Sequence, residues 1–163
     1  MDKNYYMLKA LEQAKKAYKK NEVPVGAVIV NNNKIIASAF NKRETHQNAL
    51  YHAEILAINK ACKKLKSFRL DSCEMYVTLE PCPMCSGAIV NARFKKVFFG
   101  CPDLNYGCCG SKYNFLQDKN FEHLVEVEGG ILSDECSTLL KTFFVNLREK
   151  KKQQKQKNKF NKN

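Results

Sequence analysis

The stretch "EMYVTLEPCPMCSGAIVNAR", Glu74–Arg93, joins two patterns of different period. Its first six residues are a short run with β-branched and aromatic side chains, which reads as a strand. From Cys82 onward the pattern is helical. Cys82 and Cys85 therefore sit at the start of a helix, three positions apart and on one face of it. "KVFFG", Lys96–Gly100, follows as another short strand. A strand, a helix and a strand in that order imply a parallel pair joined by a right-handed crossover.

The rest of the chain arranges itself around this unit. Upstream, Tyr6, Met7, Ala10, Leu11, Ala14 and Tyr18 recur at helical spacing. "VGAVIV" and "KIIASAF" are apolar runs separated by "NNN", so they predict a hairpin with an Asn-rich turn. "HAEILAINKACKKLK" predicts a helix with Ala53, Leu56, Ala57, Ala61 and Leu65 on its apolar stripe. Downstream, "CPDLNYGCCGSKYN" is a loop rich in turn residues. "HLVEVEGG" ends a further strand, and a last helix opens at Ser133 with an acidic first turn. The expected fold is α/β: a mixed sheet with helices on both faces, a three-layer α/β/α sandwich.

Composition narrows the class of protein. A chain of 163 residues, 44% hydrophobic, suits one domain with one packed core. No window approaches the ~18 apolar residues of a membrane span. The start, "MDKNYYMLKA", is charged and lacks the apolar core of a signal peptide. No membrane association and a cytoplasmic location are expected. In that reducing compartment Cys62, Cys73, Cys101 and Cys136 are expected to be buried, reduced thiols. Cys108 and Cys109, adjacent in a Gly-flanked loop, are the more exposed expectation.

The net charge of +12 is unevenly placed. Arg148–Asn163 holds eight basic residues and one acid, which leaves +5 for the other 147 residues. The domain is thus expected over 1–148, with 149–163 a basic tail. Its first part extends a helix, and the rest is too polar to offset its ordering entropy and is expected to be disordered. Such blocks bind polyanions, nucleic acid foremost, or serve only as solvated, solubilising tails.

A Cys-x-x-Cys pair can be a redox dithiol, half of a structural zinc site, or part of a catalytic one. A thioredoxin-like dithiol belongs on a different pattern, after the strand that opens the fold, and this pair follows the third expected strand of the chain. A structural site needs four protein ligands, and no second Cys-x-x-Cys exists. "YHAEI" supplies a third ligand in His52, at another predicted helix start. Of the other two histidines, His46 lies in a polar loop and His123 precedes a strand. Two thiolates and one imidazole make a three-ligand zinc site with its fourth position open to water. A helix N-terminus favours the thiolate form of Cys82 and Cys85. Zinc lowers the pKa of bound water to about 7. Glu54, two residues from His52, is placed to move protons as a general acid–base group. Glu80, beside the thiols, is as readily a hydrogen-bonding residue of the turn.

Together, His52-Ala53-Glu54 and Pro81-Cys82-Pro83-Met84-Cys85 match the signature of the zinc-dependent nucleobase deaminases. "VPVGAVIV", "HAEILAI", "YVTLEPCPMCSGAI", "VFFG" and "EGGILSDEC" carry the resemblance further. From about Tyr6 to Arg148 the chain resembles the bacterial tRNA-specific adenosine deaminases of the cytidine/deoxycytidylate deaminase superfamily. The resemblance implies the cytidine deaminase-like sandwich, usually a homodimer, with one Zn2+ per subunit. It implies conversion of the wobble adenosine to inosine in a tRNA anticodon stem-loop. It assigns zinc to His52, Cys82 and Cys85, and proton transfer to Glu54. It also assigns Asn41 to the flipped base, Val25 to the base pocket and Asp103 to the nucleotide's sugar. Phe144 and Arg148 are assigned to the anticodon loop, although a Phe pair on an amphipathic helix is commonly core. Asn105 stands where a basic residue is common, and Tyr51 where a smaller one is; Tyr51 is expected to narrow the pocket rim or stack on a neighbouring base. Free-base or nucleotide deaminases acting on guanine, cytosine or deoxycytidylate share the two motifs and form the alternative. A zinc-stabilised RNA-binding module is the non-enzymatic one.

Overall fold

The computed structural model describes residues 2–160. The chain runs α1 (Lys3–Lys19), β1 (Gly26–Asn31), β2 (Lys34–Phe40), α2 (Ala53–Leu65), β3 (Cys73–Leu79), α3 (Pro83–Asn91), β4 (Lys96–Cys101), β5 (Glu126–Gly129) and α4 (Ser133–Phe160). Every expected element is present in the expected order.

The five strands form one mixed sheet in the order β2-β1-β3-β4-β5. β1 pairs antiparallel with both β2 and β3. β3–β4 and β4–β5 are parallel, the arrangement the two crossovers require. The hairpin turn is Asn32–Asn33, both with positive φ, at 46° and 63°. Positive φ at both central residues twists the strands correctly for a two-residue connection, and asparagine tolerates it.

Helices cover both faces. On one side α2 and α3 pack through Ala53, Ala57, Ile58, Ala61 and Ile89 onto Ala27, Ile29, Met75, Val77 and Val97. On the other, Tyr6, Met7, Ala10 and Leu11 of α1 and Cys136 of α4 pack onto Val28, Val30, Tyr76 and Phe98. Alternate strand residues face opposite layers, so one strand feeds both cores. The α1–β1 approach is close enough to demand glycine: a Cβ at Gly26 would stand 2.1 Å from the Ala10 carbonyl oxygen.

Three local expectations change. Leu65, in the last turn of α2, is exposed, and Ile58 is buried instead. Cys108 and Cys109 are buried rather than exposed, because their loop folds inward around a carboxylate described below. Cys62 is half-buried, while Cys73, Cys101 and Cys136 are buried as expected; all are free thiols. The basic segment also departs from its expectation. Helix α4 continues without a break through Phe160, since the segment contains no Gly or Pro and is rich in Lys and Gln, which favour helix. Residues 161–163 lie outside the described residues.

Candidate metal centre and substrate cavity

His52 is the N-cap of α2 and Cys82 the N-cap of α3. Neither side chain makes a capping hydrogen bond, so both are free to turn toward each other. The helices follow β2 and β3, whose ends bring the two N-termini together. Pro83 occupies the first turn of α3, where the lack of an N–H is harmless. Cys85 then faces back toward His52 one turn in.

The three donors converge. His52 Nδ1 lies 3.7 Å from Cys82 Sγ and 3.5 Å from Cys85 Sγ. All three ligand atoms lie within 4.8 Å of one another. A tetrahedral ion held at about 2.3 Å by sulfur and 2.0 Å by nitrogen requires an S···N separation of roughly 3.5 Å. The donor set and its spacing therefore fit a zinc-type ion, and no other such group of three occurs among the described residues.

The electrostatics favour a cation. The Cys82 thiol is drawn down to about 4, first by the hydrogen bond from Cys85 and then by His52 against the opposing effect of burial. Cys85 is pushed up, foremost by donating that hydrogen bond and next by its burial. His52 is raised, chiefly by its contact with Cys82. Glu54, only 4% exposed, is pushed up to about 7 by desolvation. A buried carboxyl with that affinity can both accept and release a proton near neutral pH.

These groups open onto a cavity of about 990 Å³. Val25, Asn41, His52, Glu54, Cys82, Asp103 and Phe144 all line it, as do Arg43, Leu104, Asn105 and Tyr106. Asn41 is held in one orientation: its Nδ2 donates to the Val23 carbonyl at 3.2 Å, and its Oδ1 accepts from the Arg43 N–H at 3.2 Å. One further N–H and one lone pair remain on that amide. Asp103 Oδ1 accepts the N–H groups of Asn105 at 2.9 Å and Tyr106 at 3.1 Å, which shapes the loop over the cavity.

Arg148 does not reach this cavity. It lines an adjoining groove with Pro102, Leu104, Leu140 and Phe144, four residues common to both spaces. The phenylalanine pair splits: Phe143 is 7% exposed and packs on Tyr18, whereas Phe144 is 40% exposed and faces the cavity. Tyr51 lies outside the cavity lining and packs on His46, with ring centroids 5.2 Å apart. His123 Nε2 meets the Phe94 carbonyl at 2.8 Å, a structural contact remote from the thiols.

Two buried acids build the walls. Glu80, 1% exposed, accepts the N–H groups of Asp103 at 3.0 Å, Cys109 at 2.9 Å and Ser111 at 3.0 Å, and also the Ser111 hydroxyl. That carboxylate gathers the loop after β4 and draws Cys108 and Cys109 inward. Glu22 is fully buried and accepts the N–H groups of Glu44 at 3.1 Å and Thr45 at 2.5 Å. It anchors the loop that carries Asn41 and Arg43. Sequence reasoning passed over Glu22, since a lone acid between a helix and a strand carries no pattern.

Residues 1–148 match the family described as MafB19-like deaminase. The tRNA-specific adenosine deaminase of Bacillus subtilis (strain 168) is 52% identical over 147 residues, covering 90% of this chain and 91% of the relative. A structure from a study of A-to-I editing by tRNA:A34 deaminases at the wobble position superposes with a TM-score of 0.82 at 35% identity, covering 85% of this chain and 100% of the other. A guanine deaminase from Bacillus subtilis is 40% identical but matches only 63% of this chain and 66% of its own, with a TM-score of 0.60.

Proposed function

The chain belongs to the MafB19-like deaminase family, and from that premise we propose that it hydrolytically deaminates the wobble adenosine of a tRNA anticodon loop to inosine. The single observation that carries the chemistry is the buried Glu54 beside three converging metal donors. The single observation that carries the substrate is the match along nearly the whole length of tRNA-specific adenosine deaminases.

His52, Cys82 and Cys85 hold the metal, which we take to be one Zn2+ per subunit. When bound, zinc supplies Lewis acidity and lowers the pKa of water to about 7. Glu54 takes one proton from the water whose oxygen bonds to C6 and delivers it to N1 of the adenine ring; it then takes the remaining hydroxyl proton and gives it to the amino group as C6–N6 breaks, so that ammonia leaves and C6 keeps a carbonyl oxygen. Burial serves this role, since an ordinary exposed glutamate stays ionised and takes up a proton poorly near neutral pH.

Val25 packs on the base, and the fixed amide of Asn41 reads its polar edge. Asp103 accepts from the ribose 2′-OH, the group that separates RNA from DNA. Phe144 offers a face for a neighbouring loop base, and Arg148 a charge for a phosphate. A loop base is less costly to extrude than a paired one, which suits an anticodon loop. No helix among the described residues is long and apolar enough to cross a membrane, and we place the enzyme in the cytoplasm as a homodimer.

The test is to incubate purified protein with total tRNA and sequence for adenosine-to-inosine changes, with ammonia release from guanine and cytosine measured in parallel. Inosine at the wobble position with inert free bases is the expected result. Ammonia from a free base with unaltered tRNA would overturn the assignment in favour of a base deaminase.

A further inference from the structure

Helix α4 continues past the family match, which ends at residue 148. From Glu149 to Asn158 it carries Lys150, Lys151, Lys152, Lys155 and Lys157 against the single acid Glu149, all exposed. A run of this kind is by default a solvated face. Its register argues for more. At 3.6 residues per turn, Lys151, Lys152 and Lys155 follow Arg148 by three, four and seven positions and share its face. Phe144 precedes Arg148 by four and shares that face too. Phe144 lines both the cavity and the groove, and Arg148 lines the groove.

The opposite face is fastened down. Phe143 packs on Tyr18 with centroids 5.6 Å apart. Asn146 Nδ2 donates to the Tyr18 hydroxyl at 2.6 Å, and Lys150 Nζ donates to Asn21 Oδ1 at 3.3 Å. These contacts with the end of α1 fix the rotation of α4 about its axis. The face bearing Arg148, Lys151, Lys152 and Lys155 is therefore continuous with the mouth of the cavity.

We propose that Lys151, Lys152 and Lys155, continuing the face of Arg148 beyond the family match, form a phosphate-tracking rail that holds the stem of the RNA whose loop enters the cavity. The inference rests on the function proposed above. A base seated near Glu54 leaves the paired stem outside, and a rail extending about 10 Å beyond Arg148 meets its backbone. Lysines contribute mobile point charges, which suit phosphates of any sequence and read no bases. The rail adds affinity and salt dependence, while selection of the base stays with the cavity.

The experiment compares two charge-matched double variants of the full chain. Lys152→Gln/Lys155→Gln alters the rail, and Lys63→Gln/Lys157→Gln removes two exposed charges away from it, at the end of α2 and on the opposite side of α4; glutamine keeps helix propensity. Binding of a labelled anticodon stem-loop RNA and of a loop-only strand is measured from 50 to 300 mM salt, with helicity checked by circular dichroism. For the stem-loop, the rail variant is expected to flatten the log–log salt slope by about 2 and to weaken binding roughly ten-fold near 150 mM salt. Its preference for stem-loop over loop-only RNA falls by the same factor, and the other variant keeps the wild-type slope and preference. Equal losses from both variants, or from neither, overturn the rail. Inosine formation is scored separately: wild-type protein that binds the stem-loop yet makes no inosine overturns the proposed function, while the slopes still decide the rail.

Discussion

His52 Nδ1 stands 3.5 Å from Cys85 Sγ although 33 residues separate the two in sequence. The contact exists because two helices begin at the same edge of one sheet, each with a donor at or near its cap. Purified protein is expected to carry one zinc per chain by elemental analysis. His52→Ala and Cys85→Ser should each fall to a small fraction of that content. Cys62→Ser, a half-buried thiol elsewhere on α2, should retain it. Chelation should lower the melting temperature of the wild type, since a metal that binds only the native state stabilises it.

Glu54→Gln separates holding the metal from using it. Glutamine preserves shape but cannot accept and return a proton. Zinc content should match wild type, while kcat for a tRNA substrate drops by about 10²–10⁴-fold. A variant with near-normal turnover would remove Glu54 from the proton path.

Glu80→Gln tests the loop rather than the chemistry. One oxygen is replaced by an NH2 that cannot accept, so at least one of four donors around it is stranded in a buried site. The cost expected is about 2–3 kcal/mol, a melting shift of roughly 5–10 °C. Gly107→Ala should act on the same contact, because its Cβ would stand 2.4 Å from the Glu80 carboxylate. Both should raise KM for tRNA more than they lower kcat, since Asp103, Leu104 and Tyr106 would shift together. Unchanged melting temperatures would deny Glu80 its organising role.

The sheet and the metal donors were legible in sequence because each carries a periodic or spaced signal. The β3–α3–β4 unit shows a change of period with two thiols at the junction, and His52 and Glu54 stand at an identifiable helix start. The walls of the cavity were not legible. Glu22 and Glu80 act on backbone N–H groups, which every residue possesses, so no partner residue type betrays them. Cys108 and Cys109 were misjudged for the same reason: Gly-flanked loops are usually exposed, and only the Glu80 carboxylate pulls this one in. The split between Phe143 and Phe144 follows from the position of Tyr18, which a helical pattern alone does not locate.

Glu22→Gln should loosen the opposite wall. Each carboxylate oxygen accepts one N–H, from Glu44 and Thr45 respectively, and an amide can satisfy only one of them. Asn41 and Arg43 lie just upstream on the same segment. A several-fold rise in KM with zinc content intact is expected, and hydrogen exchange should quicken at Glu44 and Thr45. Protection equal to wild type at both amides would show that other contacts hold the loop.

Glu128, on edge strand β5, supplies a pH-dependent term whose sign can be worked out. Its carboxylate meets Lys3 Nζ at 2.7 Å and Lys96 Nζ at 3.1 Å, tying the start of α1 to the sheet edge. Those hydrogen bonds, Lys3 first, lower its pKa in the folded state below the ordinary 4.5. A lowered carboxylate pKa means that the unfolded chain binds the proton more readily, so the stabilisation is present above the unfolded value and is lost as pH falls through the folded one. Glu128→Gln should therefore melt below wild type at pH 7, with the gap constant down to about pH 5 and closing at lower pH. The gap should be small, because the pair is about one-third exposed on the Glu128 side and such pairs contribute no more than about 1 kcal/mol. Glu126, 3.7 Å from Lys96, can partly replace the lost partner and shrink it further, and added salt should do the same. A gap that widens as pH falls would contradict the ion-pair account and point to packing of the side chain on β5 instead.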